Sequence, residues 1–246
     1  MRRETQNLLL VLLGGALLKI SFTGTYTNYV KAGHLWLLVT AGVVMLALAA
    51  VSIARDIVTA RRAAAEPAAV AGPDHHHSAW GAWLLLLPVL AVFLVAPGPL
   101  GSDAVERASA GNSGSSQGAA DEGSALFPVL SEGRVVPLTL GDFSSRASWD
   151  TDKSLDDRRI RLTGFVVHDG SDVYLARLAI RCCAADAFPV KVKLHGGGVA
   201  ELPDDTWIEV VVALRPGSAT KENGHIPAAD VDSVRSVPQP ADPYEH

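Results

Sequence analysis

One uninterrupted apolar segment constrains this chain more than any other feature. Residues 35–54 (LWLLVTAGVVMLALAAVSIA) are twenty positions without a charged side chain. A helix of about twenty residues crosses roughly 30 Å of hydrocarbon. Residues 7–22 and residues 80–96 are two further apolar runs, and the latter begins with two tryptophans in the positions of an interface belt. The sequence therefore predicts three transmembrane helices, at about 7–22, 35–54 and 80–96, in a multi-pass protein of the cell membrane.

Basic residues in the short connections predict the orientation of these helices. Arg2 and Arg3 precede the first helix, and three arginines follow the second between residues 55 and 62, whereas the connection between them carries only Lys31. Because loops rich in Lys and Arg stay in the cytoplasm, we expect the N-terminus inside and the chain beyond the third helix outside. The prediction requires three spans, since two spans would leave the C-terminal half in the cytoplasm.

The first apolar run has an alternative interpretation as a cleaved signal peptide. Arg2 and Arg3 form a basic start of the kind that signal peptides have. No A-x-A site follows Phe22, however, and a second apolar run begins soon afterwards. These two features favour an uncleaved anchor.

The chain changes character beyond the apolar runs. Residues 98–124 are rich in Gly, Ser and Ala and lack apolar periodicity, which predicts a flexible linker. Residues 125–246 contain 18 acidic and 13 basic side chains and so account for the net charge of −5. Nucleic-acid binding needs a basic surface, so an acidic domain of this kind is not expected to have a nucleic-acid partner.

The C-terminal half, residues 125–246, carries alternating patterns typical of short strands. Asp169-Gly170 between the first two is a hairpin signal, and residues 138–149 are compatible with a short helix. Five strands within about eighty residues favour a small five-stranded OB-like barrel, with a small sandwich as the alternative. The predicted fold class is therefore membrane α + β, with three N-terminal transmembrane helices followed by a small all-β domain. The predicted strands are residues 159–167, 173–180, 188–194, 206–214 and 229–237.

The segment RLAIRCCAADAFP (residues 177–189) is the most unusual stretch of this domain. On a continuing strand, Cys182 and Cys183 would point to opposite faces and could not share a ligand. If the strand instead ends near Arg181 and a helical turn begins, Asp186 can approach both cysteines. Two thiolates and a carboxylate suit a soft or borderline metal, so zinc and copper are the candidate cofactors.

Two arginines flank this candidate site. Arg177 and Arg181 would favour the thiolate forms through their charge, and together they could also form an anion-binding patch. A simpler interpretation is that the two cysteines are small buried residues, that Asp186 caps a turn and that the arginines lie on a solvated strand face. The sequence leaves these interpretations open.

The remaining motifs are few. Asp74 and three histidines (residues 75–77) form a short tract in the predicted cytoplasmic loop, which could collect metal or be an ordinary polar loop. The chain has no phosphate-binding glycine loop, no G-x-S-x-G and no H-E-x-x-H. We therefore expect a protein that is not an enzyme.

Several segments carry a resemblance to a known family. They are RLTGFV (161–166), LARLAIRCCAADA (175–187), DTWIEV (205–210) and DPYE (242–245), which follow the N-terminal apolar runs. With these segments the chain resembles the YcgQ-like family of bacterial permease subunits over nearly its full length.

The resemblance implies a function and a partner. It implies that the chain is the smaller component of a two-component membrane permease whose partner is a larger multi-helix permease protein. A shared role would fall on the matching positions Arg177, Cys182, Cys183 and Asp186. The leading hypothesis is accordingly a non-enzymatic accessory subunit whose outward β domain binds or gates at the permease.

Two other hypotheses belong to different classes. One is a membrane-anchored protein that binds metal or performs thiol redox chemistry with Cys182 and Cys183. The other is an envelope-anchored module that binds a small anion or a peptide through Arg177 and Arg181.

Overall fold

The structure, a computed structural model, describes residues 3–63, 90, 94, 98–111 and 127–246. The chain forms two compact units. The first comprises Met1–Tyr26 and Ala32–Gly98, and the second, called the β unit below, comprises Thr27–Lys31 and Pro99–His246. The third predicted helix, at 80–96, and the histidine tract lie outside the described residues apart from positions 90 and 94.

The first unit contains two long apolar helices, α1 (Arg3–Thr23) and α2 (Leu35–Ala63). Short 3-10 turns at Thr25–Asn28 and Ala32–His34 lie between them in sequence. By length and composition both helices can cross a membrane, within the windows Gln6–Thr23 and Ala32–Thr59. The first two predicted helices are therefore present.

Small residues let α1 and α2 approach each other closely. A Cβ atom on Gly14 would lie 3.1 Å from the carbonyl oxygen of Gly42, so neither position has room for a larger side chain without a shift. Trp36 and Leu48 of α2 are more than half exposed. Apolar side chains on an outer helix face are expected where the surrounding solvent is lipid.

The β unit contains one mixed six-stranded sheet and two helices. The helices are α3 (Ser102–Gly111) and α4 (Leu140–Trp149). The strands are β1 (Val136–Pro137), β2 (Ile160–Asp169), β3 (Asp172–Ala179), β4 (Phe188–His195), β5 (Trp207–Leu214) and β6 (Ala228–Ser236).

The five predicted strands are confirmed as β2 to β6, each to within a few residues of its predicted bounds. The strand order is β1-β2-β3-β4-β6-β5, and β2 also pairs with β5. The first half of β2 pairs with β5, and its second half pairs with β3 through the predicted hairpin at Gly170. The strands β2 to β6 therefore form a closed cycle of pairs in which each has two partners, and β2 pairs in addition with β1. The β4–β6 pair is parallel, and the other pairs of this cycle are antiparallel.

Alternating side chains of the strands form the main core. The inward set includes Leu162, Leu175, Val192 and Val210, all fully buried, and α4 adds Phe143. Burying side chains of this size is worth about 1.5–3 kcal/mol each, so the period-two pattern also determines which face of each strand points inward.

The prediction of a flexible linker over residues 98–124 is wrong for its first half. Residues 102–111 form α3, whose Val105 is buried against Phe165 and Val167 on the outer face of the sheet. Ser102 anchors the start of α3, because its backbone N–H and its hydroxyl donate to the two carboxylate oxygens of Asp205 at 2.6 and 2.8 Å. The rest of the predicted linker lies outside the described residues.

The domain is also not all-β as predicted. Besides α3 it contains α4, which lies within the stretch where a short helix was expected and begins at the N-cap Thr139. The Thr139 hydroxyl accepts the backbone N–H of Asp142 at 3.0 Å, which satisfies one of the open donors of a helix start. The domain therefore combines a mixed sheet with two covering helices.

Candidate functional site

A tight turn directly after β3 brings the candidate ligands together. The strand ends at Ala179, Cys183 is still extended (φ −153°, ψ 167°), and a 3-10 turn occupies Ala184–Asp186. Asp186 closes the turn by accepting the backbone N–H groups of Arg181 and Cys182, each at 2.9 Å. Of the two backbone alternatives, the chain adopts the one in which the strand ends before the cysteines.

The two thiol groups lie side by side at this turn. Cys182 is exposed, Cys183 is half-buried, and neither forms a disulfide. Their sulfur atoms are 3.6 Å apart. One ligand atom from each of Cys182, Cys183 and Asp186 lies within 4.8 Å of the other two. We call these three residues the thiol–carboxylate cluster.

The carboxylate determines the protonation of the cluster. The hydrogen bond from the Cys182 side chain, with further help from backbone N–H groups, lowers the pKa of Asp186 to about 2. The same hydrogen bond, followed by the contact with Cys183, raises the pKa of Cys182 to about 11. At neutral pH Asp186 is therefore ionised and Cys182 is a protonated thiol that donates to it.

The expectation that Arg177 and Arg181 promote the thiolate does not hold for Cys182, because its pKa is raised. Arg177 is engaged elsewhere: it donates to the carbonyl oxygens of Asp242 and Pro243 at 2.7 and 3.2 Å. Its guanidinium also lies over the ring of Trp207, and burial lowers its pKa.

Arg181 lies nearer to the cluster than Arg177 but also contacts an aromatic ring. Its guanidinium is 5.9 Å from the centroid of Phe188, while its backbone N–H donates to Asp186. The structure thus groups Cys182, Cys183 and Asp186 and assigns the two arginine side chains to other contacts.

The segment between α1 and α2 attaches to the same turn. The backbone N–H of Lys31 donates to the carbonyl oxygen of Cys182 at 3.1 Å, and that of Ala184 donates to the carbonyl oxygen of Tyr29 at 2.8 Å. Val30 and Cys183 form an antiparallel bridge between these two bonds. Sequence reasoning missed this contact, since nothing in the composition of residues 27–31 indicates a strand.

The C-terminal tail holds the surroundings of the site in place. Glu245 extends the sheet beside β3, with its N–H donating to Leu178 and its carbonyl oxygen accepting from Ile180, both at 2.9 Å. The buried carboxylate of Glu245 accepts the N–H groups of Leu140 and Gly141 at the start of α4, at 2.7 and 2.8 Å. Burial raises the pKa of this carboxylate.

Tyr244 joins the tail to two other parts of the β unit. Its hydroxyl accepts the backbone N–H of Leu100 at 3.1 Å and donates to the carbonyl oxygen of Asn28 at 3.0 Å. Thr27 adds a hydrogen bond to the carbonyl oxygen of Ala241 at 2.8 Å. The DPYE segment thus has a structural role. In the sequence it stood out only as one of the segments that carry the family resemblance.

Comparisons with known proteins identify two matching domains. The DUF1980 N-terminal domain matches residues 5–110, and the DUF1980 C-terminal domain matches residues 150–246. No curated protein matches the chain significantly.

One similar solved structure is the "Crystal structure of a putative aspartyl-tRNA synthetase from Leishmania major Friedlin". It has 9% identity and a TM-score of 0.25, and the match covers 49% of this chain. The match spans only 23% of that longer chain.

Proposed function

The chain belongs to the DUF1980 family, and from its site we propose that it is a membrane-anchored protein that binds a thiophilic metal cation. The cation would bind at the thiol–carboxylate cluster of Cys182, Cys183 and Asp186. The carrying observation is that three potential ligand atoms of suitable chemistry lie within 4.8 Å of one another on an accessible turn.

The sulfur spacing supports a tetrahedral ion such as zinc. Two thiolates at about 2.3 Å from a tetrahedral zinc ion lie roughly 3.8 Å apart. The observed separation of Cys182 and Cys183 is 3.6 Å, so little rearrangement is needed. Each carboxylate oxygen has about two lone pairs, so Asp186 can keep its two backbone N–H donors and still face a cation.

The charge of the cluster supports the same proposal. With Cys182 and Cys183 deprotonated, the cluster would carry three negative charges within a few ångströms. Without a cation the pKa of Cys182 is raised, first by its hydrogen bond to Asp186 and further by the neighbouring charge, so its thiolate is disfavoured. A divalent cation reverses this effect, since metal ions deprotonate coordinating thiols. Copper(I) also prefers thiolates and is a second candidate.

We place the β unit outside the cytoplasm. The segment Thr27–Lys31 belongs to the β unit, and the distribution of basic residues orients it outward. If α1 and α2 both span the membrane, the chain must cross once more between Ala63 and Pro99 to bring the rest of the β unit to the same side. The charge-free sequence of residues 80–96, which lie outside the described residues apart from positions 90 and 94, is the candidate for that third span. A reporter enzyme fused to the C-terminus should be active only outside the cytoplasm, and cytoplasmic activity would refute this topology.

We also propose that the β unit is an OB-like barrel. Its pairing cycle is β2-β3-β4-β6-β5-β2, with a parallel β4–β6 pair. An OB-fold is a five-stranded, partly open Greek-key barrel, and this cycle is compatible with it. α3 and the C-terminal tail cover part of the outer sheet face.

Zinc titration of the full chain in detergent tests the proposed cation site. The protein should carry H75A/H76A/H77A, because the histidine tract could bind metal independently. Competition with a chromophoric chelator should reveal one zinc bound per chain, and adding C182S/C183S should abolish it. A double serine variant that binds zinc equally well would refute the site, provided that its circular dichroism spectrum is unchanged.

The second candidate function is the accessory subunit of a two-component permease, which the resemblance to the YcgQ-like family supports. The accessible cluster offers three potential ligand atoms, one fewer than a tetrahedral ion takes, so a partner protein could provide the fourth. Such a subunit could pass a cation to a multi-helix partner. Co-expression with a neighbouring permease should yield a complex in mild detergent. A chain that purifies alone would count against this candidate and leave the cation site unaffected.

Thiol redox chemistry is a weaker alternative at the same cysteines. The thiolate is the reactive form, and the raised pKa of Cys182 leaves little of it at neutral pH. Alkylation of Cys182 in the metal-free C183S variant should therefore be slow at neutral pH. Fast alkylation of Cys182 would favour the redox function over cation binding.

A further inference from the structure

The turn that carries the thiol–carboxylate cluster also holds the segment between α1 and α2. Cys182 contributes a sulfur to the cluster and its carbonyl oxygen to Lys31. Cys183 contributes the second sulfur and pairs with Val30. Ala184, the next residue, donates to the carbonyl oxygen of Tyr29. Cys182 and Cys183 therefore serve both the cluster and the attachment, and the adjoining Ala184 completes the attachment.

Asp186 extends this dual use to the carboxylate. It accepts the backbone N–H groups of Arg181 and Cys182, which precede the bridge to Val30. A cation that engages Asp186 and both sulfur atoms would restrict the backbone from 181 to 186. Since this backbone includes one partner of each attachment hydrogen bond, the carbonyl oxygen of Cys182 and the N–H of Ala184, fewer conformations would remain in which those bonds are open.

The attached segment lies within the connection between two apolar helices. α1 ends at Thr23 and α2 begins at Leu35, and the attached residues Thr27–Lys31 lie in the middle of the intervening chain. Because Thr27–Lys31 are covalently continuous with the residues on either side, their attachment to the β unit also restrains the neighbouring residues of the connection.

We infer that a cation at the thiol–carboxylate cluster stabilises the attachment of Thr27–Lys31 to the β unit, so that the cluster acts as a cation-dependent clasp on the connection between the helices. The inference rests on the proposed cation site. Coupling is reciprocal: if the cation strengthens the attachment by some factor, the attachment strengthens cation binding by the same factor. In linked sites of this kind, binding at one site commonly changes the affinity of the other by roughly 5- to 150-fold.

Hydrogen exchange measures the first half of this coupling. In the full chain with H75A/H76A/H77A, the amides of Lys31 and Ala184 should exchange about tenfold more slowly with saturating zinc than without it. C182S/C183S should remove the effect of zinc. Amides of the β5–β6 pair, remote from the turn in sequence, serve as an internal control and should not change.

Two substitutions at one position measure the reciprocal half. Lys31→Pro removes the N–H that donates to Cys182 and is compatible with the extended Val30 before it. Lys31→Ala removes the ammonium group and keeps that N–H. We expect K31P to weaken zinc binding roughly fivefold or more, and K31A to bind zinc like the parent chain.

The outcomes separate this inference from the proposed function. Zinc binding with unchanged exchange at Lys31 and Ala184 would overturn the clasp and leave the cation site standing. Equal zinc affinities of K31P and K31A would overturn it as well. A parent chain that binds no zinc would refute the cation site and the clasp together.

Discussion

Two acidic side chains of the β unit make nearly the same hydrogen bonds and behave oppositely. Asp186 accepts two consecutive backbone N–H groups at the cysteine turn, and Glu245 accepts two consecutive N–H groups at the start of α4. The pKa of half-buried Asp186 is lowered to about 2, mainly by the Cys182 hydrogen bond. The pKa of Glu245, which is 7% exposed, is raised by burial. Burial is the first cause of the shift at Glu245, whereas the additional hydrogen bond from a thiol is the first cause at Asp186.

The difference indicates different roles for the two regions. The Glu245 carboxylate is enclosed and satisfies donors that would otherwise be buried without partners, so it stabilises the fold. Asp186 remains accessible, ionised and next to two thiols, so it can still receive a cation. The carboxylate of the C-terminal tail therefore stabilises the fold, whereas the carboxylate of the cysteine turn remains available for binding.

The largest expected effect is on folding stability. Glu245→Ala would leave the N–H groups of Leu140 and Gly141 without their acceptor, at a cost of about 2–4 kcal/mol in the free energy of unfolding. Thermal or denaturant unfolding in detergent measures it. Asp186→Ala is the matched control and should cost less, because water can replace the lost carboxylate at that exposed turn. Equal losses in the two variants would refute the contrast.

The second prediction concerns pH and zinc. Zinc must displace the proton of Cys182, whose pKa lies at about 11. Zinc affinity should therefore rise by about tenfold or more per pH unit between about pH 6 and pH 8, since at least one proton is released on binding. Isothermal titration in buffers of different ionisation enthalpy counts these protons. A pH-independent affinity would mean that Cys182 is not a ligand.

The third prediction concerns thiol reactivity without metal. Asp186→Asn weakens the hydrogen bond that raises the pKa of Cys182 and removes the accompanying negative charge, so the thiolate fraction should increase. Because a thiolate of lower pKa is also less nucleophilic, the net gain in alkylation rate at about pH 8 should be roughly tenfold. The parent chain and D186N should be compared with C183S in both, so that only Cys182 reacts. Unchanged or slower alkylation in D186N would contradict the assigned role of Asp186.

The smallest expected effect tests the tail away from its carboxylate. Tyr244→Phe removes one acceptor for Leu100 and one donor to Asn28 without changing the packed ring. The free energy of unfolding should fall by about 1–2 kcal/mol. Zinc affinity should fall only slightly, because Asn28 lies next to the residues that contact the cysteine turn. A loss of stability as large as that of Glu245→Ala would show that the tail acts mainly through Tyr244.

Local sequence patterns predicted most of the architecture. Charge-free runs predicted α1 and α2, since a helix is the simplest way to satisfy backbone groups in lipid. The alternation of apolar and polar residues predicted β2 to β6, because successive side chains of a strand point to opposite faces and only one face is buried in the core. The helix α3 was missed because it lies in a stretch rich in Gly, Ser and Ala. Only Val105 and its neighbours at the helix start pack against the sheet, which is too few apolar residues to give a helical period.

The candidate site was predicted in part. The sequence indicated that Cys182, Cys183 and Asp186 could meet if β3 ended before them. It did not determine where β3 ends. The role assigned to Arg177 was not found in the structure, because its partners at 242 and 243 are more than sixty residues away in sequence. Such long-range partners leave no periodic signal.

The amino-acid sequence by itself determined the two apolar helices, the acidic β unit and the faces that its strands bury, since these depend on local hydrophobicity and its period. Only the tertiary structure decided that the cysteines and Asp186 share a turn, that residues 27–31 attach to it and that Glu245 supports α4. Each of these depends on hydrogen bonds between segments that are distant in sequence and brought together by packing. The burial and solvation of a side chain in such a contact cannot be read from its sequence neighbours.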